Sequence, residues 1–293
     1  MVKYRSKMCG LDASKGWDTM EIFREIDRLK QTVDRYRPLC PELMWAISRK
    51  FREEWTYHTN ALEGNTMTLQ ETVFFLREGL TVEGRTLREH MEMLNHVEAI
   101  DFMQDTLSSR DLSERLIKDF HAILFSDMKY GKGEIPVPPG LYKTRDNYVV
   151  TLSGEIHHYC PHYLVPEKME EMFYWLDHAM QVLHPVETAA VVHQKIVAIH
   201  PFPDGNGRTA RLAMNFLLLQ KGYPPAIIPK ERRREYYAAL EEGDQGKPER
   251  FIRLVAEEVK RSLLVMHTEI DKAVQQQQPV AVEKKKPDRA YER

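Results

Sequence analysis

The stretch HPFPDGNGRTAR, residues 200–211, sets a histidine, an acid, two glycines around an asparagine, and two arginines between two apolar helical patterns. Upstream, AAVVHQKIVAIH reads as an apolar helix ending at His200. Downstream, a helix is expected to begin at Asn206 or Gly207 and to stop at Gly222 before a Pro-Pro pair. The connection is therefore a helix–loop–helix with His200 on one lip and a helix N-terminus on the other. Such an N-terminus carries unpaired N–H groups and the positive end of a dipole, so it binds anions. Gly205 and Gly207 allow close backbone approach. Arg208 and Arg211 share a helical face in the first turn, where cations are disfavoured unless an anion or a carboxylate lies over that turn. Arginine forks suit phosphate oxygens, Asp204 offers a hard oxygen ligand for Mg²⁺, and His200 has the pKa of a general base. A structural turn, with Asp204 capping the helix and both arginines solvated, explains each residue singly but not the set. The pieces fit phosphoryl or nucleotidyl transfer to a hydroxyl and leave open which phosphorus is attacked.

Outward from this loop, helical spacing with start and stop signals predicts helices over 17–38, 41–64, 68–80, 86–107, 113–127, 166–184, 186–200, 230–243 and 248–274. The stretch 131–166 differs, being rich in glycine and proline. Within it NYVVTLSGEIHHY (147–159) has β-branched and aromatic residues on both sides of Ser153-Gly154, a β-hairpin signal. The fold class is mainly α, a helical bundle with one small hairpin and no repeat of fixed period. An N-terminal helical region spans 1–99, a core 100–225, and C-terminal helices 226–272. The polar, charge-rich residues 273–293 read as a disordered tail.

With 293 residues, 42% apolar and 29% charged, the chain is long enough for a sizeable core. A net charge of -2 gives no field that would recruit nucleic acid or an anionic membrane. Three cysteines, widely spaced, suggest a reducing compartment. The first twenty residues show no apolar signal core, and the longest apolar run is too short to span a bilayer, so the expected location is cytoplasmic. A GxxxxGK[ST] loop and the kinase HRD and DFG sets are missing from the sequence.

Residues 200–211 resemble the signature of the Fic domain family, HxFx[DE]GNGRxxR, with every fixed position filled. The resemblance implies a helical core over about 100–225 with the hairpin as the family's flap, and transfer of AMP from ATP to a Ser, Thr or Tyr hydroxyl of a protein. It implies His200 as the base, Asp204 as the Mg²⁺ ligand, Gly205, Asn206 and Gly207 as the cradle of the α- and β-phosphates, and Phe202 as the buried anchor of the loop. Arg208 would contact the β/γ-phosphates and Arg211 the γ-phosphate. The phosphorylating Doc branch departs at the second glycine, and retention of Gly207 favours AMP transfer. The segment TNALEG (59–64) resembles the family's inhibitory motif [ST]xxxE[GN], matched by Thr59, Glu63 and Gly64. Glu63 would then pair with Arg211 and block the γ-phosphate subsite. Some relatives use this glutamate to remove AMP. By the same resemblance Tyr148, Val149, Val150 and Thr151 form the target-aligning flap strand, and Tyr236 or Tyr237 lines an adenine pocket. Where relatives often have arginine after PGxY this chain has Lys143, which leaves the flap's detail open.

Other candidates are weaker. HHYCPH (157–162) could hold a metal, but strand alternation separates neighbours and a flap strand with its exit explains it. KERRREYYAAL has an RNA-binding flavour that the glutamates around it offset. His193 and Lys195 read as solvated or satisfied positions. The expected partners are thus a protein hydroxyl substrate, the chain itself as acceptor, and a second copy in a homodimer, with no nucleic acid or membrane. Transfer of UMP or phosphate, AMP removal, and a nucleotide-sensing module without turnover remain the alternatives.

Overall fold

A computed structural model describes residues 16–126, 139–150, 154 and 156–277. Among these residues ten α-helices and one two-stranded hairpin occur in the order α1 (Gly16–Asp34), α2 (Pro41–Leu62), α3 (Leu69–Glu78), α4 (Leu87–Thr106), α5 (Glu114–Leu124), β1 (Tyr148–Val150), β2 (Ile156–His158), α6 (Val165–Val182), α7 (Pro185–Ile199), α8 (Asn206–Gln220), α9 (Arg233–Asp244) and α10 (Glu249–Gln277). The mainly α class with one hairpin is the observed architecture. α10 runs to Gln277, past the predicted helix end at 274 and into the stretch 273–293 read as a tail; residues 278–293 lie outside the described residues.

The helix starts are chemically marked. Thr68 opens α3 and Thr86 opens α4 with reciprocal capping boxes to Glu71 and Glu89, and Ser113 caps α5 by accepting the Leu116 N–H. α7 begins at Pro185, with the ring of His184 accepting the Val186 N–H at 3.2 Å. α7 and α8 form the central pair: α7 packs on α6 and α10, α8 on α5, and α10 on α1. α7 is buried nearly all round, through Val186, Ala189, Ala190, Val192 and Ile196, and α8 through Leu212, Ala213, Met214 and Phe216. A helix apolar on every side must lie inside, so the loop joining α7 to α8 is held by the core on both flanks. Asn215 adds a clamp: its amide bonds both backbone groups of Ala226, fixing the chain that leaves α8. A smaller cluster of Met67, Phe75 and Met93 seats α3 against α4.

The hairpin is antiparallel, with Tyr148 opposite His158, Val149 opposite His157 and Val150 opposite Ile156. Tyr148, Val149 and Ile156 are exposed. Thr151 lies outside the described residues.

Candidate functional site

His200 ends α7 in the left-handed region, φ 53° and ψ 59°, the only non-glycine residue with positive φ among the described residues. That conformation costs about 1–2 kcal/mol. Its ring stacks on Tyr159, just past β2, with centroids 3.6 Å apart and planes 13° apart. Nδ1 lies 3.3 Å from the carbonyl of Val197. A carbonyl only accepts, so Nδ1 carries the proton and Nε2 keeps a lone pair. Burial holds the imidazole down to about 4, opposed by that carbonyl and reinforced by the Lys143 ammonium. The ring is neutral at physiological pH, the form a base requires.

The loop is stapled from within. Asn206 Oδ1 accepts the Phe202 N–H at 2.9 Å and its Nδ2 donates to the Phe202 carbonyl at 2.8 Å. The Asn206 side chain is thus committed to loop shape, and only its backbone N–H can face a ligand. Phe202 is fully buried and stacks on His121 at 3.9 Å. His121 Nδ1 accepts the Gly140 N–H at 2.9 Å, which leaves Nε2–H to donate to the Asp204 carbonyl at 3.2 Å. Gly205, at φ 74°, abuts the Phe125 ring so closely that no Cβ could be added.

No side chain caps α8 at Gly205. Asp204 instead turns Oδ1 to the Gly205 N–H at 2.6 Å, and its carboxylate is 53% exposed with Oδ2 3.9 Å from Arg88. The first turn of α8 therefore presents its N–H groups to the mouth of the loop. Arg208 is buried at 3% exposure, with its guanidinium 5.1 Å from the centre of the Phe125 ring. Its nearest anion is Glu92 at 3.8 Å, and its Nε and Nη1 are buried without a hydrogen-bond partner. Orphaned donors on a buried cation mark a place built for an acceptor.

Arg211 is the opposite case. Its Nε donates to Thr59 Oγ1 at 2.7 Å, and its Nη2 to the Thr59 carbonyl at 3.2 Å and to Glu63 Oε1 at 2.6 Å. Nη1 donates to the Tyr236 hydroxyl at 3.0 Å. Glu63 sits just past the end of α2, followed by Gly64 at φ 100°. Its carboxylate crosses the first turn of α8: a Cβ on Gly207 would lie 2.6 Å from Glu63 Oε1.

The structure thus gathers His200, Phe202, Asp204, Gly205, Asn206, Gly207, Arg208 and Arg211 with Thr59 and Glu63 from α2. Tyr236 does not line an open pocket, contrary to the expected adenine contact: it is 1% exposed and its hydroxyl is engaged by Arg211 and by His193 at 3.1 Å. Tyr237 is partly buried, its hydroxyl donating to the Leu62 carbonyl at 3.3 Å. His193, read from sequence as solvated or satisfied, is fully buried with Nε2 3.1 Å from the Tyr236 hydroxyl, which selects the second of those readings. Lys143 is buried too; its N–H donates to the Pro201 carbonyl at 2.8 Å and its ammonium to Asn147 at 2.7 Å. An open cavity of about 340 Å³ lies beside the end of α7, lined among others by His157, Trp175, Gln194, Ala198, Gly243 and Asp244. The sequence reading missed Tyr159, His121 and Glu92. A histidine inside the apolar run DFHAILF is a signal for His121; nothing local marks the other two.

Among the described residues no three His, Cys, Asp or Glu side chains converge on one metal position, the HHYCPH stretch included. No helix there is long and apolar enough to cross a membrane.

The Fic/DOC family model matches residues 111–218. The chain is 37% identical over 222 residues to a protein adenylyltransferase of Caenorhabditis briggsae, covering 74% of this chain and 42% of that protein. A solved structure of Fic-1 residues 134–508 from C. elegans superposes with a TM-score of 0.76 at 30% identity, covering 87% of this chain and 73% of that one. A Fic-domain signaling protein from Bacteroides thetaiotaomicron superposes with a TM-score of 0.77 at 27% identity, over 86% of this chain and 97% of that one. The chain spans less than half the length of the curated nematode relative it matches. Signature, loop geometry and superposition agree, and the chain belongs to the Fic/DOC family.

Proposed function

We propose that this chain is a protein adenylyltransferase held in check by Glu63. One observation carries the reading: a neutral histidine with a free Nε2 stands at the mouth of an uncapped helix N-terminus, where buried Arg208 has Nε and Nη1 without acceptors. A nucleoside triphosphate supplies what that arrangement lacks, with its phosphates on the first-turn N–H groups and on Arg208 and its terminal phosphate on Arg211. The names of the matched relatives support AMP as the group moved.

His200 Nε2 accepts the proton of a Ser, Thr or Tyr hydroxyl. The hydroxyl oxygen bonds the α-phosphorus, the bond from that phosphorus to the bridging oxygen breaks, and pyrophosphate leaves. First-turn N–H groups of α8 stabilise the charge that develops on the phosphate oxygens. Tyr159 covers one face of His200 and keeps water from that side. The exposed backbone edge of β1 lies where an extended target segment could pair. The cavity between β2, α7 and α9 is sized for the nucleoside end of the substrate. The donor set at Asp204 fits Mg²⁺, which takes one or two carboxylates and otherwise shares phosphate oxygens; Oδ2 is the oxygen left for it. When bound, the ion neutralises phosphate charge. With Glu63 on Arg211, the γ-phosphate has no fork to enter, and transfer is suppressed.

Intact mass after incubation with Mg-ATP tests the reading on the wild type, Glu63→Ala, and Glu63→Ala with His200→Ala. The expected result is an AMP-sized adduct on Glu63→Ala, on itself or on an added lysate protein, that the second substitution abolishes. A phosphate-sized adduct, or an AMP adduct that persists without His200, would overturn it.

A further inference from the structure

His193 takes no part in the chemistry above, yet it is fully buried two turns before His200. Its ring stacks on Phe251 at 4.7 Å and meets Tyr236 edge-on at 5.7 Å. We infer that His193, acting through the Tyr236 hydroxyl, is a positioning residue that holds the Arg211 fork in one orientation for two successive anions, the Glu63 carboxylate and a terminal phosphate. The inference rests on the functional reading above, in which Arg211 meets that phosphate.

Donor and acceptor logic fixes the direction of the chain. A guanidinium only donates, so at 3.0 Å from Arg211 Nη1 the Tyr236 oxygen is the acceptor. The Tyr236 proton must then go elsewhere, and the acceptor in reach is His193 Nε2 at 3.1 Å. His193 is therefore neutral and protonated on Nδ1. Burial and the nearby Arg211 charge both oppose a second proton there. Nδ1 is itself buried with no hydrogen-bond partner. A histidine that served packing alone would gain nothing by leaving that atom orphaned. An acceptor at Nε2 that orients the phenol toward Arg211 accounts for the arrangement.

The elements involved give the device its use. Three of the four donor contacts of Arg211 go to α2, through Thr59 Oγ1, the Thr59 carbonyl and Glu63. The fourth goes to Tyr236 on α9, backed by His193 on α7. When Glu63 yields, the contacts from α2 are the ones at risk. The Tyr236–His193 side belongs to the core and stays, so the fork does not have to be found again by the incoming phosphate.

The test uses the Glu63→Ala protein, in which the competing carboxylate is gone, and compares Mg-ATP with Mg-ADP by calorimetry. Arg211→Ala in that background defines how much of the ATP-over-ADP preference the fork supplies. His193→Leu and Tyr236→Phe should each reduce that preference about tenfold, the effect of one misdirected charge-assisted hydrogen bond, with ADP affinity kept. His193→Gln, whose side-chain oxygen can accept from Tyr236, should restore it. The double variant His193→Leu, Tyr236→Phe should be no worse than either single. Loss of ATP and ADP affinity in equal proportion, or an unchanged preference in a folded Tyr236→Phe protein, would overturn the inference. Tyr236→Phe removes one oxygen from a buried ring and carries the test if His193→Leu does not fold. If the parent has no ATP preference that Arg211→Ala abolishes, the functional reading itself has failed and the inference falls with it. The Arg211→Ala control tells the two failures apart.

Discussion

Removing the Glu63 carboxylate should move stability and nucleotide affinity in opposite directions. Glu63 Oε1 lies 2.6 Å from Arg211 Nη2; its side chain is 33% exposed and that of Arg211 is 2%. A hydrogen bond between charged groups contributes about 1.5–3 kcal/mol. Full loss of a buried partner costs about 3–5 kcal/mol, but Arg211 keeps Thr59 and Tyr236 here, so the lower range applies. Glu63→Ala should therefore destabilise the ligand-free protein by about 2 kcal/mol, a fall in Tm of roughly 3 °C for a chain of this size. The same 2 kcal/mol no longer opposes a γ-phosphate, so ATP should bind about 30-fold more tightly. AMP, which cannot reach Arg211 on the proposed reading, should gain little. Thermal melts with and without Mg-ATP, Mg-ADP and AMP read both effects at once. Saturating ATP at a hundred times Kd adds about 2.7 kcal/mol, enough to raise the variant back to the ligand-free wild type. Equal ATP affinity in wild type and variant, or an equal gain for AMP, would refute the argument that Glu63 stands in a phosphate's place.

Gly207 has a steric role that can be isolated once Glu63 is gone. Glu63→Ala with Gly207→Ala should differ in stability from Glu63→Ala alone by less than ~1 kcal/mol, since the gain in helix propensity is offset by a Cβ 3.1 Å from Arg211 Nη1, yet bind ATP at least about tenfold less well, because the methyl fills the first turn; calorimetry and melts check the pair. Asn206→Ala removes both bonds to Phe202 and leaves its buried N–H and carbonyl unpaired, a loss of about 2–4 kcal/mol measurable by urea denaturation. Acid should unfold the protein through its histidines. Burial lowers His58, His121 and His200 to about 4 and holds His96 and His193 well below their ordinary value. The unfolded chain binds these protons first, so stability is fully present above pH ~6.5 and falls as pH drops toward ~4, by ~1.4 kcal/mol per pH unit for each group. Asp101, Asp244 and Glu258, raised by burial, oppose this in part. A urea midpoint that stays flat from pH 7 to 5 would contradict it.

Much of this architecture was legible because it is local. Helical spacing and caps at Thr68, Thr86 and Ser113 are written within a few residues of the structure they specify. The candidate loop is equally local, from His200 to Arg211. What escaped depends on which faces meet. Arg211 and Thr59 are 152 residues apart, and His121 and Asp204 are 83 apart. Periodicity tells which side of a helix is apolar but not which helix covers it. α7 shows the limit most clearly: its polar residues Glu187, Thr188, His193, Gln194 and Lys195 are spread around the helix, so nothing local says that His193 faces Tyr236 and not solvent. The Glu63–Arg211 contact itself came into view through a family resemblance, not through spacing.

On the proposed reading, Arg211 explains why inhibition by Glu63 needs so little extra structure. A guanidinium at 2% exposure that loses its anion is destabilised by about 2 kcal/mol even with Thr59 and Tyr236 still accepting from it. On the proposed reading the fold must place it there to grip a terminal phosphate, so the ligand-free state needs a substitute, and Glu63 at the end of α2 supplies one. Inhibition then follows from the same burial that makes the phosphate grip strong. The tighter Arg211 would hold ATP, the greater the penalty that Glu63 relieves when ATP is absent. A factor that draws Glu63 away must therefore offer more than the 2.6 Å contact it breaks, unless nucleotide is present to take over the charge. Release and ATP binding are thus coupled through one guanidinium, and relief of inhibition should require less of any activator as ATP concentration rises.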